Sequence, residues 1–457
     1  MTLIKSISGI RGTIGGMPQD NLTPINIVKY AGSFGQWLIE SESNRKVVIG
    51  RDARISGQMA SNLIANTLMG IDIVDLDLST TPTVEIAVPI EKAGGEIIIT
   101  ASHNPAQWNA LKLLNKDGEF LSVKDSEQIL NLAERGEFSF AEIFDLGQYS
   151  VNNDYLDKHI DDILSLALVD QSAIAEKQFK VAIDCVNSTG GLALPSLLNT
   201  LGVEVIEKMY CKPNGYFPHN PEPLPEHLTD ICDLMKQGDY DVGFVVDPDV
   251  DRLAIIDENG EFIGEEYRLV LVVDYILSHT PGGVVSNLSS SGALYKIAEK
   301  YDQKRAEAAV GEVNVVTKMK EIGAIIGGEG NGGIIYPELH YGRDAIVGIA
   351  LFFTHLAKSG KTVYQLKAEC PQTHISKNKI ELSPFINVDD LLTKLSNELE
   401  RYPQNHIDGV KIYFGNDWAH IRKSNTEPII RIYSESSTKE KAENVFLKIK
   451  EIIDRII

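Results

Sequence analysis

The chain has 457 residues, more than one hydrophobic core sustains, so three or four domains are expected. A hydrophobic share of 43% with 23% charged residues is that of a globular protein, and a formal net charge of -21 argues against the basic face that a nucleic-acid partner needs. Four cysteines (Cys185, Cys211, Cys232, Cys370) without CxxC spacing suggest neither a zinc site nor a disulfide framework.

The opening Met1-Thr2-Leu3-Ile4-Lys5-Ser6 lacks the apolar core of a signal peptide. The most apolar stretch, Leu269 to Leu277, is broken by Asp274 and is too short to span a bilayer. A cytoplasmic protein with no membrane partner is expected.

In chain order, a strand-loop pattern repeats. Lys46 to Ile49 is an apolar strand that runs into Gly50-Arg51-Asp52-Ala53-Arg54-Ile55-Ser56-Gly57, and Lys180 to Ile183 runs into Asp184-Cys185-Val186-Asn187-Ser188-Thr189-Gly190. Gly283 to Gly292 is a looser third copy. After each comes a second strand (Ile71 to Val74, Val203 to Ile206, Ala308 to Val310), then a third that ends in a distinctive loop. Strands alternating with helical patterns predict parallel βαβ units, and the repetition predicts similar domains in tandem. The tail from about Cys370, with strands at Val410 to Tyr413 and Ile429 to Tyr433 and an amphipathic helix over Lys439 to Ile457, predicts a smaller α+β domain. The expected boundaries are 1–154, 155–256, 257–370 and 371–457.

The first distinctive loop follows Ile97-Ile98-Ile99 and reads Thr100-Ala101-Ser102-His103-Asn104-Pro105. Proline blocks further sheet, which leaves Ser102 at the mouth of a buried strand, where open α/β sheets carry their chemistry. Ser102 is a candidate nucleophile, with His103 beside it as donor or base; a plain turn is the alternative.

The second loop follows Val242 to Val246 and reads Asp247-Pro248-Asp249-Val250-Asp251-Arg252. Three carboxylates in one turn repel, each close pair by up to ~4 kcal/mol near a surface. A divalent cation relieves this, and all-oxygen ligands point to magnesium or calcium. An EF-hand is excluded, because Arg252 stands where its glycine is required and Leu253 to Ile256 reads as a strand. A phosphatase with Asp247 as nucleophile also fits Asp-x-Asp after a strand.

The third loop, Gly327-Gly328-Glu329-Gly330-Asn331-Gly332-Gly333, happens to match GxGxxG, but Ile334-Ile335-Tyr336-Pro337 follows where a dinucleotide site needs a helix. Close backbone approach to a ligand suits these glycines better, with Glu329 and Asn331 matched to sugar hydroxyls. Last, Arg422-Lys423-Ser424-Asn425-Thr426-Glu427-Pro428 gathers the cations, hydroxyls and amide that a phosphate wants.

Together with Ser8-Gly9-Ile10-Arg11-Gly12, these loops resemble, in order and over nearly the whole chain, the motifs of the α-D-phosphohexomutase family of phosphoglucomutases, phosphomannomutases and phosphoglucosamine mutases. The resemblance implies three similar α/β domains with mixed sheets and a smaller C-terminal α+β domain around a central cleft. It implies a phosphorylated Ser102 that passes its phosphoryl group to a hexose monophosphate, through a hexose 1,6-bisphosphate that also serves as activator. Mg2+ would be held by Ser102, Asp247, Asp249 and Asp251. Arg11 and Lys112 would assist at the reacting oxygens, with Lys112 as general base. Arg252, Glu329, Asn331, Arg422, Ser424, Asn425 and Thr426 would bind the substrate. A hinge near residue 370 would let the last domain open.

Three positions depart from the family pattern. Gly333 stands where many members carry histidine, Ala110 replaces a glycine, and Val250 fills a slot for a small residue. The expected reaction is glucosamine 6-phosphate to glucosamine 1-phosphate, with mannose or glucose phosphates as the alternative sugars. A sugar-phosphate phosphatase and a non-catalytic sensor of the same fold are the other readings.

Overall fold

The computed structural model describes residues 2–7, 9–382, 386–423 and 429–456. Two compact units divide them: residues 1–268 with 332–365, and residues 269–331 with 366–457.

In the first unit, the described residues form two mixed sheets. The larger runs Ile4–Ser6, Gly9–Thr13, Trp108–Asn115, Gly95–Ile99, Lys46–Arg51, Asp72–Leu78, Tyr149–Val151. Its central strands are parallel and buried on both faces, which is why Val47-Val48-Ile49 and Ile97-Ile98-Ile99 are unbroken apolar runs. Alternate residues serve opposite cores. Val47, Ile49, Ile97 and Ile99 pack with Phe34 and Leu38 of the helix Pro24–Glu40, while Val48 and Ile98 pack with Val84, Ala87 and Val88 of the helix Thr81–Glu91.

The second sheet has the order Leu253–Ile256, Val242–Val246, Val181–Asp184, Val205–Met209. Leu253–Ile256 is the strand that excluded an EF-hand, and it returns antiparallel to Val242–Val246. That reversal presents Asp247 to Arg252 at the sheet's edge.

In the second unit, Arg305–Ala308, Gly283–Asn287 and Ala324–Glu329 run parallel. The middle repeat strand therefore ends at Ala308, not at the expected Val310. Its polar residues mislead because they face partners: Glu307 accepts from Tyr295 (2.7 Å), Lys411 Nζ (3.0 Å), Tyr413 (2.7 Å) and Asn405 (3.0 Å). The C-terminal strands His374–Glu381, Ile429–Ser436, Asp417–Lys423, Val410–Phe414 and Gln404–Asn405 form an antiparallel sheet. Glu435 ties it to the loop after Gly283–Asn287, accepting from Gly292 N (2.9 Å) and Trp418 Nε1 (2.9 Å). Residue 370, near which a hinge is expected, lies close to the boundary between the units at Gln365 and Leu366.

Among the described residues, no helix is long and apolar enough to cross a membrane.

Candidate active site

Ser102 sits where its strand can no longer pair. Thr100 Oγ1 donates to Asp52 Oδ2 (2.7 Å) and accepts from Ser102 N (2.9 Å), turning the chain sharply. Ser102 takes a left-handed φ of 47°, a conformation costing about 1–3 kcal/mol that persists only where surroundings impose it. Arg54 imposes it. This buried guanidinium pairs with Asp52 (2.9 Å) and donates to the carbonyls of Ser102 (2.5 Å), Asn104 (2.6 Å), Pro105 (2.7 Å) and Trp108 (2.9 Å).

The aspartate loop meets this turn. Ser102 Oγ donates to Asp247 Oδ2 at 2.6 Å, and the other oxygen of Asp247 accepts from Arg252 N at 3.1 Å. Ser188 and Thr189 hold the loop from behind, both donating to the Pro248 carbonyl (2.6 and 2.8 Å). Thr81 grips Asp249 twice, through N–H to its carbonyl (2.9 Å) and Oγ1 to its carboxylate (2.7 Å). Val250, the departure noted above, takes φ 63° and is fully buried, so this slot favours a small residue for backbone reasons. Loops after the first strand of each repeat therefore brace the loops after the third. In the second unit Asn287 Nδ2, at the end of the first strand, and Gly311 N, after the second, donate to Glu329 Oε1 at 2.7 and 3.0 Å.

Cations surround the carboxylates. Lys112 Nζ lies 2.6 Å from Asp249 and 3.4 Å from Asp251, and Arg343 Nη2 lies 2.6 Å from Asp251. Arg11 pairs with Ala110 across the sheet, and Lys112 lies two residues on, facing the same side. Arg252 Nη1 is steered by Glu222 (3.3 Å).

Burial pushes the Asp247 carboxyl well above the usual range, and repulsion from Asp251 and Asp249 adds to it. Burial acts on Asp251 in the same direction, but Arg343, Lys112 and Arg252 outweigh it and hold that group low. Burial would also lower Lys112, yet Asp249 and Asp251 outweigh it and raise that group. Burial and then Arg252 hold His103 well below the ordinary imidazole value.

The ligand atoms of Asp247, Asp249 and Asp251 lie within 4.8 Å of one another. Asp249 Oδ1 and Asp251 Oδ1 are buried without a hydrogen-bond partner. Buried unpartnered carboxylate oxygens are costly, and an all-oxygen set of this kind fits a hard divalent cation.

Of the expected site residues, Ser102, His103, Lys112, Arg11, Arg252 and the three aspartates come together in the first unit; Glu329, Asn331 and Arg422 belong to the second. Ser8, Ser424, Asn425 and Thr426 lie outside the described residues. Sequence reasoning missed Arg54, Thr81, Glu222 and Arg343. Arg54 lay within the repeat, whose second copy braces a neighbouring loop, so that signal was available; Arg343 carried none.

Residues 3–140, 157–260 and 265–374 match the phosphoglucomutase/phosphomannomutase alpha/beta/alpha domains I, II and III, and residues 386–452 match its C-terminal domain. A phosphoglucomutase/phosphomannomutase of Thermococcus kodakarensis is 34% identical over 94% of this chain and 95% of its own. A phosphoglucosamine/phosphogalactosamine mutase of Sulfurisphaera tokodaii is 30% identical over 98% of each. The crystal structure of a family protein from Burkholderia thailandensis superposes with a TM-score of 0.85 at 22% identity, covering 99% of this chain and 98% of that one. The chain belongs to the phosphoglucomutase/phosphomannomutase family of phosphohexomutases.

Proposed function

We propose that the protein interconverts hexose 6-phosphates and 1-phosphates in the cytoplasm, with glucosamine phosphate as its substrate, through a phosphoryl group carried on Ser102. One observation carries the reading: Ser102 Oγ is bonded to Asp247 within a ring of carboxylates and cations. Phosphoryl transfer needs little covalent help and much positioning and charge neutralisation, and this ring offers both. Names among the relatives favour the amino sugar; several are called probable phosphoglucosamine mutases.

In the reaction, Arg54 would hold the Ser102 loop in its strained turn while Lys112 hydrogen-bonds and protonates Ser102 Oγ as the phosphoryl group leaves. Glu329 and Asn331 would orient sugar hydroxyls, and Arg422 with Ser424, Asn425 and Thr426 would clamp the phosphate that does not react. Mg2+ on the three aspartates would supply Lewis-acid neutralisation of the phosphoryl oxygens. A hexose 1,6-bisphosphate would prime Ser102 and recur as the intermediate.

The phosphatase reading fares worse. Asp247 is fully buried, and its two oxygens accept from Ser102 Oγ and Arg252 N, leaving little room for attack on an incoming phosphate. The test is kcat/KM for the bisphosphate-primed protein on glucosamine, N-acetylglucosamine, mannose and glucose phosphates, with and without EDTA. Glucosamine phosphate should be preferred, and EDTA or Ser102→Ala should abolish isomerisation. Free phosphate released by Ser102→Ala at the wild-type rate would overturn the mutase reading.

A further inference from the structure

Gly333 opens the strand Gly333–Ile335, and the space left by its missing side chain is filled. A Cβ there would stand 2.2 Å from Arg343 Cδ, 2.8 Å from its Cγ and 3.4 Å from its Cβ. The stem of Arg343 therefore lies on the glycine, and swinging only its far end would not relieve the contact. The backbone leaves little slack: Ile335 bridges to Arg343, and Asp344 N donates to the Ile334 carbonyl at 2.8 Å. Asp344 is in turn the N-cap of the helix Ala345–Ser359, accepting from Ile346 N and Val347 N. The guanidinium is thus aimed from a fixed base.

It is aimed at the reaction centre. Besides its 2.6 Å bond to Asp251, Arg343 stands near enough to Arg11, Lys112 and His103 for its charge to act on each. Arg11, Lys112, Arg252 and Arg343 face the three aspartates and Glu222, four cations to four carboxylates before any metal is counted. A divalent cation on the aspartates would leave this cluster with an excess of positive charge, which a phosphoryl group carrying roughly -1.5 to -2 charges would balance. A guanidinium presents its donors in a planar fork, a shape that matches the oxygens of a phosphoryl group.

We propose that Arg343, seated on Gly333, is a further catalytic residue that bonds the phosphoryl group in transit between Ser102 and the sugar. The inference rests on the phosphohexomutase reading. In the step served, the sugar hydroxyl oxygen forms its bond to phosphorus as the bond from phosphorus to Ser102 Oγ breaks. Lys112 gives Ser102 Oγ its proton, and the proton the hydroxyl releases restores Lys112 by way of solvent, so no oxidant or reductant is involved. Arg343 would neutralise the charge spread over the equatorial oxygens.

The competing role is indirect, with Arg343 only orienting Asp251 for the cation. Steady-state kinetics on Arg343→Ala and Arg343→Gln, at magnesium raised until the rate no longer responds, separate the two; thermal melting first checks the fold. Transition-state charge stabilisation predicts a kcat loss of about 100-fold or more that saturating magnesium does not restore. Guanidinium ion at millimolar concentration should partly restore Arg343→Ala, where equal sodium chloride should not. Gly333→Ala should also lower kcat, and should add little in an Arg343→Ala background. Recovery of wild-type kcat at high magnesium, or absence of guanidinium rescue in a folded variant, would overturn the proposal. An inactive wild-type protein would instead count against the mutase reading itself.

Discussion

Arg54 shows how much one side chain can fix. Its guanidinium, itself buried, satisfies the buried Asp52 and four backbone carbonyls of the Ser102 loop. Removing one partner of a buried ion pair leaves the other uncompensated, which typically costs about 3–5 kcal/mol. Arg54→Met should lower unfolding free energy by about that amount in urea titration and abolish phosphorylation of Ser102, whose turn has lost its support. Arg343 is the complementary case, a charged side chain placed by a residue that has none.

At the scale of elements, three segments meet in a buried polar cluster beside the site. Thr83 of the helix Thr81–Glu91 bonds His159 Nδ1 (3.0 Å), and His159 Nε2 reaches Asp344 (2.9 Å). His340 lies between Glu85 (3.3 Å) and Asp344 (3.4 Å). The two ends of this cluster run into Thr81, which holds Asp249, and Arg343, which holds Asp251. Burial would lower His340, but Asp344 and Glu85 raise it to about 10. A histidine whose folded pKa lies above its unfolded value adds stability that is complete below about 6.5 and fades as pH rises toward 10. His340→Gln should therefore melt well below wild type at pH 6, and the gap should narrow steadily up to pH 10.

Over the whole molecule, stability is organised by unit. In the second unit, Glu307 joins the strand Arg305–Ala308 to the C-terminal sheet through Lys411, Tyr413 and Asn405. Lys411 is fully buried, so loss of that carboxylate would strand a cation. Hydrogen exchange should register this: Glu307→Ala should speed amide exchange by tenfold or more, about 1.4 kcal/mol, over residues 404–423. Exchange in Lys46–Arg51 and Gly95–Ile99 should not change.

Much of this was written in the sequence. Apolar runs ending at Thr100, Asp247 and Gly327 marked strand mouths, because a strand buried on both faces must be continuously apolar and its end is where polar residues can begin. Three aspartates in one turn marked a place where positive charge must gather, and Lys112 and Arg343 stand against them. What the sequence could not show was which polar residue would turn inward. Arg54, Glu307 and His340 each resemble surface residues until a partner distant in sequence is folded against them. The same is true of Gly333, whose meaning lies in Arg343 ten residues on. Local pattern determines where strands end and which loops carry charge; only tertiary packing decides which buried charges are paired, and so which side chains are aimed at the reacting atoms.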